Sequence, residues 1–371
     1  MKRRILSSLM ALVLVFGLLP VTVFAAEGES TTPADPFEGA KTIYVSDKGT
    51  GDGTAEDKPT TLPKAVAKIN GYTPVPGDAA PAFIISLTED LKFTCASGAL
   101  TLQKYATRIL GNGHSIETNQ AISAIGKGTR VDLGKPDGTD TLTVNVIVYE
   151  PTLSIGSSAK MHMYDGVTVK HETEETNLSD AAIKLSAEGN FYMHGGQITN
   201  CTTLKATILV DGGSHVEIHG GTVRDNIIME THFGGAICLF NKSSLVVDGN
   251  VLFKNNKTHN RGGAIYLADN STANISGKTV FENNKAGSIG GAIYVQYSSL
   301  TVDGATFEGN SASLGGAILA LGGSGPDKKA TVQLKDCTFT GNSTTGGGAG
   351  GALYLQDTEM TLTDCTIENN T

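Results

Sequence analysis

The 371-residue chain contains no Trp, five Cys, 6% aromatic and 18% charged residues. Without Trp, the ring best suited to stack on a sugar is missing. Five thiols in a chain this long do not make a disulfide scaffold. Positive charge is also short: 28 Lys and Arg against 37 Asp and Glu leave a net charge of −9, which suits neither nucleic acid nor anionic lipid. Beyond residue 25 there is no long apolar run, and a membrane-spanning helix needs about 20 such residues. Leu-rich helical periodicity is scarce. What is plentiful is Gly (46 residues) and Thr, which weaken helices and favour turns and strands. An apolar fraction of 39% with so little charge excludes a disordered chain.

Residues 1–25 read as an export signal: basic MKRR, an apolar stretch at 5–19, and Val23-Phe24-Ala25 as a small-residue cleavage site before Ala26. Ser7, Ser8 and Pro20 leave that stretch too short for an anchor. The expected mature chain is exported, and more acidic still once Lys2, Arg3 and Arg4 are removed. Residues 26–39 read as a flexible tether and residues 40–82 as an N-terminal strand and capping helix. The helix is expected over 61–71, with Thr61 as cap, Pro63 in the first turn, a stripe of Leu62, Ala65, Val66 and Ile69, and Asn70-Gly71 as the stop.

The rest of the chain, residues 83–371, is dominated by a repeat. Gly-Gly-Ala-Ile recurs at 234–237, 262–265, 290–293 and 315–318, with Gly-Gly-Ala-Leu at 350–353. Ala182-Ile183 and Thr207-Ile208 hold the same place upstream. A second marker, Phe-x-x-Asn, pairs Phe253 with Asn256, Phe281 with Asn284, Phe307 with Asn310 and Phe339 with Asn342; Val223 with Asn226 and Ile367 with Asn370 are weaker copies. Between the markers lie apolar pairs two residues apart: Met161/Met163, Phe191/Met193, Val216/Ile218, Leu245/Val247, Ala273/Ile275, Leu300/Val302, Val332/Leu334 and Met360/Leu362. That alternation puts one strand face in and one out.

A unit of roughly 28 residues with three short strands cannot bury a core alone. Stacked units can, each strand pairing with its copy one turn on, about 4.8 Å away. The expected fold is therefore an all-β, right-handed parallel β-helix with an N-terminal capping helix. In it the Phe column fills the core, the Asn column forms a ladder, and the paired Gly form a corner. The segments FIISL (83–87) and RILGNGHSI (108–116) read as early, irregular turns. Cys337 and Cys365, both in Asp-Cys-Thr contexts, read as stacked thiols or as a disulfide.

The alternation of GGAI with Phe-x-x-Asn resembles the polymorphic outer-membrane protein repeat of bacterial surface autotransporters and large secreted β-helix proteins. YVSDKGTGDGTAEDKPTTLPKAV (44–66) is similar to the N-terminal segment of secreted pectate-lyase-like β-helix proteins, and the leader resembles those of Gram-positive bacteria. The resemblance implies a β-helix and a surface location. It carries no catalytic residues.

A glycosidase on this fold needs converging carboxylates. The resemblance to polygalacturonases would bring Asp-Asp pairs and Gly-His-Gly, and neither occurs. The resemblance to pectate lyases would bring a calcium-binding carboxylate cluster and an Arg base. The arginines after the leader, Arg108, Arg130, Arg224 and Arg261, do not follow that pattern. One outward column stands out: Tyr164, His194, His219, Asp248, Ser276 and Asp303. His194, His219 and Asp248 on neighbouring turns suit either a divalent metal or an exposed polar ladder. Tyr192, Tyr266, Tyr294, Tyr297 and Tyr354 are expected to point outward. Tyr266, Tyr294 and Tyr354 form a stripe with Cys238 and Leu319, read as exposed strand residues or a contact surface. The edge segments KTHNR (257–261), KAGSI (285–289), SASL (311–314) and STTGGGA (343–349) vary most, as recognition loops do.

The sequence assigns no catalytic residue, no cofactor and no metal. The expected function is a non-enzymatic secreted or cell-surface stalk or adhesin-like module of a larger protein, with a host or bacterial surface glycan or protein as partner. The alternative is a polysaccharide lyase or glycoside hydrolase of acidic polysaccharide. Because the chain stops in mid-repeat, further repeats and an attachment module are expected to follow residue 371.

Overall fold

Residues 272–296 show how one repeat becomes one turn. Strand Thr272–Ile275 leads through a glycine bend to Val280–Glu282, then across an Asn corner to the short strand Lys285–Ala286. The Gly290-Gly291 corner then delivers the chain into Ile293–Gln296. Each strand pairs in parallel with its copy: Thr272 with Ser299, Phe281 with Phe307, Lys285 with Ser311, and Ile293 with Ile318. The computed structural model, which describes residues 35–76, 80–173, 178–229, 233–325 and 328–371, repeats this wiring along its length. One face is a ten-stranded parallel sheet running from Thr101–Leu102 to Leu353–Gln356. The chain forms an all-β, right-handed parallel β-solenoid of about ten turns. Residues 1–34, which hold the expected export signal and most of the expected tether, lie outside the described residues.

The periodic residues account for the interior. Phe253, Phe281, Phe307 and Phe339 are fully buried and stack with ring centroids 4.9, 4.8 and 4.6 Å apart and nearly parallel planes. The Asn column is a continuous side-chain ladder. Asn226 Nδ2 donates to Asn256 Oδ1 at 2.9 Å, Asn256 to Asn284 at 3.0 Å, Asn284 to Asn310 at 3.0 Å, and Asn310 to Asn342 at 2.9 Å. The weak copy Asn370 joins it, accepting from Asn342 at 2.9 Å. Each amide also bonds backbone of its neighbours, so these buried polar groups are paired, as burial requires.

The two glycines of each corner have different duties. Gly262 and its equivalents take positive φ, +66° at Gly262. The second glycine is needed because the chain one turn on passes so close. A Cβ on Gly263 would stand 2.0 Å from the carbonyl oxygen of Gly291, and one on Gly291 1.9 Å from that of Gly316.

Near the N-terminal end the helix Leu62–Asn70 turns its Leu62, Ala65, Val66 and Ile69 stripe onto the core beside Val45, Phe83 and Leu102. Its ends differ from the expectation. Thr61 is extended but makes no side-chain cap bond, and Gly71 keeps right-handed geometry at φ −83°. The apolar pairs are buried from Met161/Met163 to Val332/Leu334. Met360/Leu362 is not, with Leu362 46% exposed, because its strand has a neighbour on one side only. Cys337 and Cys365 are free thiols, stacked with the Cys337 N–H 3.4 Å from the Cys365 sulfur.

The tyrosine stripe requires a correction. Cys238, Tyr266, Tyr294 and Leu319 occupy one register column as expected, but they are 3% exposed or less. They form a second apolar cluster, covered by Phe233 and, from the edge segments, by Ile289 and Leu314. Those segments are less loop-like than their sequence suggests. Lys257–Thr258, Lys285–Ala286, Ser311–Ala312 and Ser343–Thr344 form a narrow ladder, and Phe233, Arg261, Ile289 and Leu314 are bridged in sequence.

Candidate functional site: a histidine–tyrosine–carboxylate face

The outward side of the alternating strands carries the densest chemistry among the described residues. Strands Arg130–Leu133, Lys160–Met163, Asn190–Met193 and His215–Arg224 lie side by side in register. Alternation sends Val131, Met161, Phe191 and Val216 into the core and leaves Asp132, His162, Tyr192 and Glu217 outside in one row. Tyr164, His194 and His219 make the next row along.

The rings of these rows pile up along the solenoid axis. His162 stacks on Tyr192 at 4.6 Å, Tyr164 on His194 at 4.8 Å, and His194 on His219 at 5.4 Å. His162 Nδ1 and His194 Nε2 are 3.0 Å apart and share a hydrogen bond. Burial within this stack, helped by the nearby Arg130 guanidinium, lowers the His162 pKa to about 4. His194 is lowered as well, by burial and then by His219. Both imidazoles are therefore neutral near pH 7. Burial, with Asp132 and Glu217 nearby, raises the phenols of Tyr164 and Tyr192.

On either side of the stack, carboxylates are held by cations or imidazoles. Asp132 is completely buried. It accepts from Arg108 at 3.2 Å, from Arg130 at 2.7 and 2.9 Å, and from the Tyr164 hydroxyl at 3.3 Å. On the other side His215 Nε2 meets Glu217 Oε1 at 2.7 Å, while Glu217 Oε2 lies 3.2 Å from His219 Nε2. His219 Nδ1 meets Asp248 Oδ1 at 2.5 Å, and His215 Nδ1 meets the Ser244 hydroxyl at 2.7 Å. The result is an alternating chain, His215–Glu217–His219–Asp248, in which each ring nitrogen faces its own partner.

This geometry decides how the expected column works. Tyr164, His194, His219 and Asp248 do come together. His219 nevertheless aims its two nitrogens at two different carboxylates, so His194, His219 and Asp248 do not point at one central ion. Among the described residues no three His, Cys, Asp or Glu side chains converge as ligands. Further along the column, Asp303 pairs with Lys335 at 3.0 Å. The rings present edges rather than open faces, so the stack is no platform for a sugar face. Sequence reasoning followed one column and missed His162, His215, Glu217, Asp132, Arg108 and Arg130 as its lateral partners. The signal was present: each of His162, Glu217 and Asp132 lies between two inward apolar residues.

Comparison with known proteins agrees with the fold. Residues 153–332 match the family model for the right-handed β-helix region. Residues 336–356 match the repeat of the chlamydial polymorphic membrane protein. No curated protein and no solved structure matches the chain.

Proposed function

We propose that this chain, a right-handed parallel β-helix protein with repeats of the polymorphic membrane protein type, acts outside the cell as a non-catalytic binding module or stalk for surface glycans or proteins. The observation that carries this reading is the closure of the outward face upon itself. A polysaccharide lyase or hydrolase needs carboxylate oxygens free to hold a metal, activate water or protonate a leaving group. Here Asp132, which meets two arginines, is fully buried and bonded through both oxygens. Glu217 is held through both oxygens by His215 and His219. The repeat type supports surface display, since the family it names is one of membrane proteins. Among the described residues no helix is long and apolar enough to cross a membrane.

The test is to incubate the protein with polygalacturonate, alginate and hyaluronan, with and without calcium, and to measure new reducing and unsaturated ends. The expected result is none. Chain cleavage that disappears in Glu217→Gln would establish the enzyme reading instead.

A further inference from the structure

A second site lies away from the histidine face, at the corner that joins the ten-stranded sheet to the alternating strands. At successive turns this corner consists of two residues with positive φ: Ala187-Glu188, Gly212-Gly213, Asn241-Lys242 and Asp269-Asn270. Five of these eight residues are Gly, Asn or Asp, which tolerate that conformation. The next corner has shrunk to one residue, and that residue is Tyr297, at φ +50°. A bulky aromatic side chain is a poor occupant of left-handed backbone, and such strain concentrates at binding sites.

The surroundings give the ring a use. Its edge lies against the backbone of the following insertion: a Cβ on Gly323 would be only 3.1 Å from Tyr297 Cε1. The Lys328 ammonium sits 6.0 Å from the ring centroid. Tyr297 and Lys328 wall a cleft of about 530 Å³ whose other lining residues are Asn241, Lys242, Asp269 and Asn270. That volume suits a small ligand. An aromatic wall takes the C–H face of a pyranose, amides and a carboxylate take hydroxyls, and two ammonium groups take an anion. The four corner residues are exposed and need not be desolvated from within the core.

We propose that this cleft binds a short acidic saccharide, with Tyr297 as the stacking wall and Lys242 and Lys328 holding the sugar carboxylate. It adds a ligand class and a location to the binding-module reading, and it does not depend on the histidine face being inert. The carboxylate can come from a uronic acid chain or from a terminal sialic acid, so both are probed.

The experiment is calorimetric titration of the protein with trigalacturonate, its methyl ester and sialyllactose. One of the two acidic probes is expected to bind, and the methyl ester at least 10-fold more weakly than trigalacturonate if the uronate is the ligand. Tyr297→Asn, which suits positive φ, is expected to lose binding at least 10-fold while melting at the same or higher temperature. Tyr297→Phe should retain it. Lys242→Ala with Lys328→Ala should abolish the preference for the acid and its salt dependence. Absence of binding by both acidic probes, or binding unchanged in Tyr297→Asn and in the lysine pair, would overturn the assignment. Cleavage in the end-group assay would refute the non-catalytic reading without touching this one.

Discussion

Replacing Asn284 by Ala tests the ladder at its centre. The Asn284 side chain is fully buried and makes four hydrogen bonds. Its Oδ1 accepts from the Asn256 backbone N–H at 3.1 Å and from Asn256 Nδ2 at 3.0 Å. Its Nδ2 donates to the Phe253 carbonyl at 2.9 Å and to Asn310 Oδ1 at 3.0 Å. At about 1 kcal/mol net for each bond the loss comes to about 4 kcal/mol, since groups left behind in the core have no water to turn to. Asn284→Asp keeps the shape but turns the donor into an acceptor facing the Phe253 carbonyl and Asn310 Oδ1. It should be at least as costly near neutral pH. Asn274→Ala, an exposed change one strand earlier in the same turn, is the control and should stay within about 0.5 kcal/mol. Urea unfolding followed by far-ultraviolet circular dichroism reads the stability, and amide exchange at Asn256 reads the local loss. If Asn284→Ala unfolds at the same urea concentration as Asn274→Ala, the ladder does not carry the stability assigned to it.

Three further outcomes follow from the same geometry. Phe281→Ala removes the centre of the buried ring stack and should cost about 3–5 kcal/mol in urea unfolding; a loss under about 1 kcal/mol would mean the stack is not packed as described. Gly263→Ala places a Cβ 2.0 Å from the Gly291 carbonyl oxygen and should cost about 3 kcal/mol by overpacking, whereas the exposed Ser299→Ala should be silent. Burial holds both His162 and His171 down to about 4 from 6.5. The unfolded chain therefore takes up protons that the folded one refuses, so the stability is intact above pH 6.5 and falls as pH drops towards 4. The fully buried His171, whose Nε2 has no hydrogen-bond partner, contributes about 3 kcal/mol of that fall, and the partly exposed His162 less. His171→Met should flatten the acid side of the stability curve, and an unchanged curve would refute the assignment.

The interior was legible because stacking turns a repeat position into a column. A residue recurring every 28 or so positions must meet its own copy, so the sequence alone places Phe281 and Asn284. The Tyr266 and Tyr294 column was misplaced for the opposite reason. Alternation correctly sent these rings away from the main core, but what covers them sits one residue before the Gly-Gly corner. That position holds Phe233, Arg261, Ile289 and Leu314, too varied to read as an apolar column. Arg261 serves there through its guanidinium, 5.4 Å from the Phe233 ring centroid and 5.3 Å from that of Tyr294. The histidine face was half legible. His194, His219 and Asp248 share a column, and the His219–Asp248 bond follows it, but the bonds to His162 and Glu217 run diagonally and sideways between columns. Those depend on the register of turns that lack the GGAI marker. Thr61 had the right place for a cap, yet its side chain makes no bond there, which sequence pattern does not report.

The central claim is that each repeat closes one turn and advances the chain by a single strand spacing. Spin labels test it directly at Lys160→Cys and Glu359→Cys, in a background with Cys95 and Cys365 changed to Ser. The two positions share one column, linked through Asn190, His215, Ser244, Thr272, Ser299 and Thr331. Seven steps of about 4.8 Å put their backbones roughly 34 Å apart, and moving the first label to Thr272→Cys should shorten this to roughly 14 Å. Distances that do not scale with the number of turns between the labels would contradict the solenoid and everything built on it.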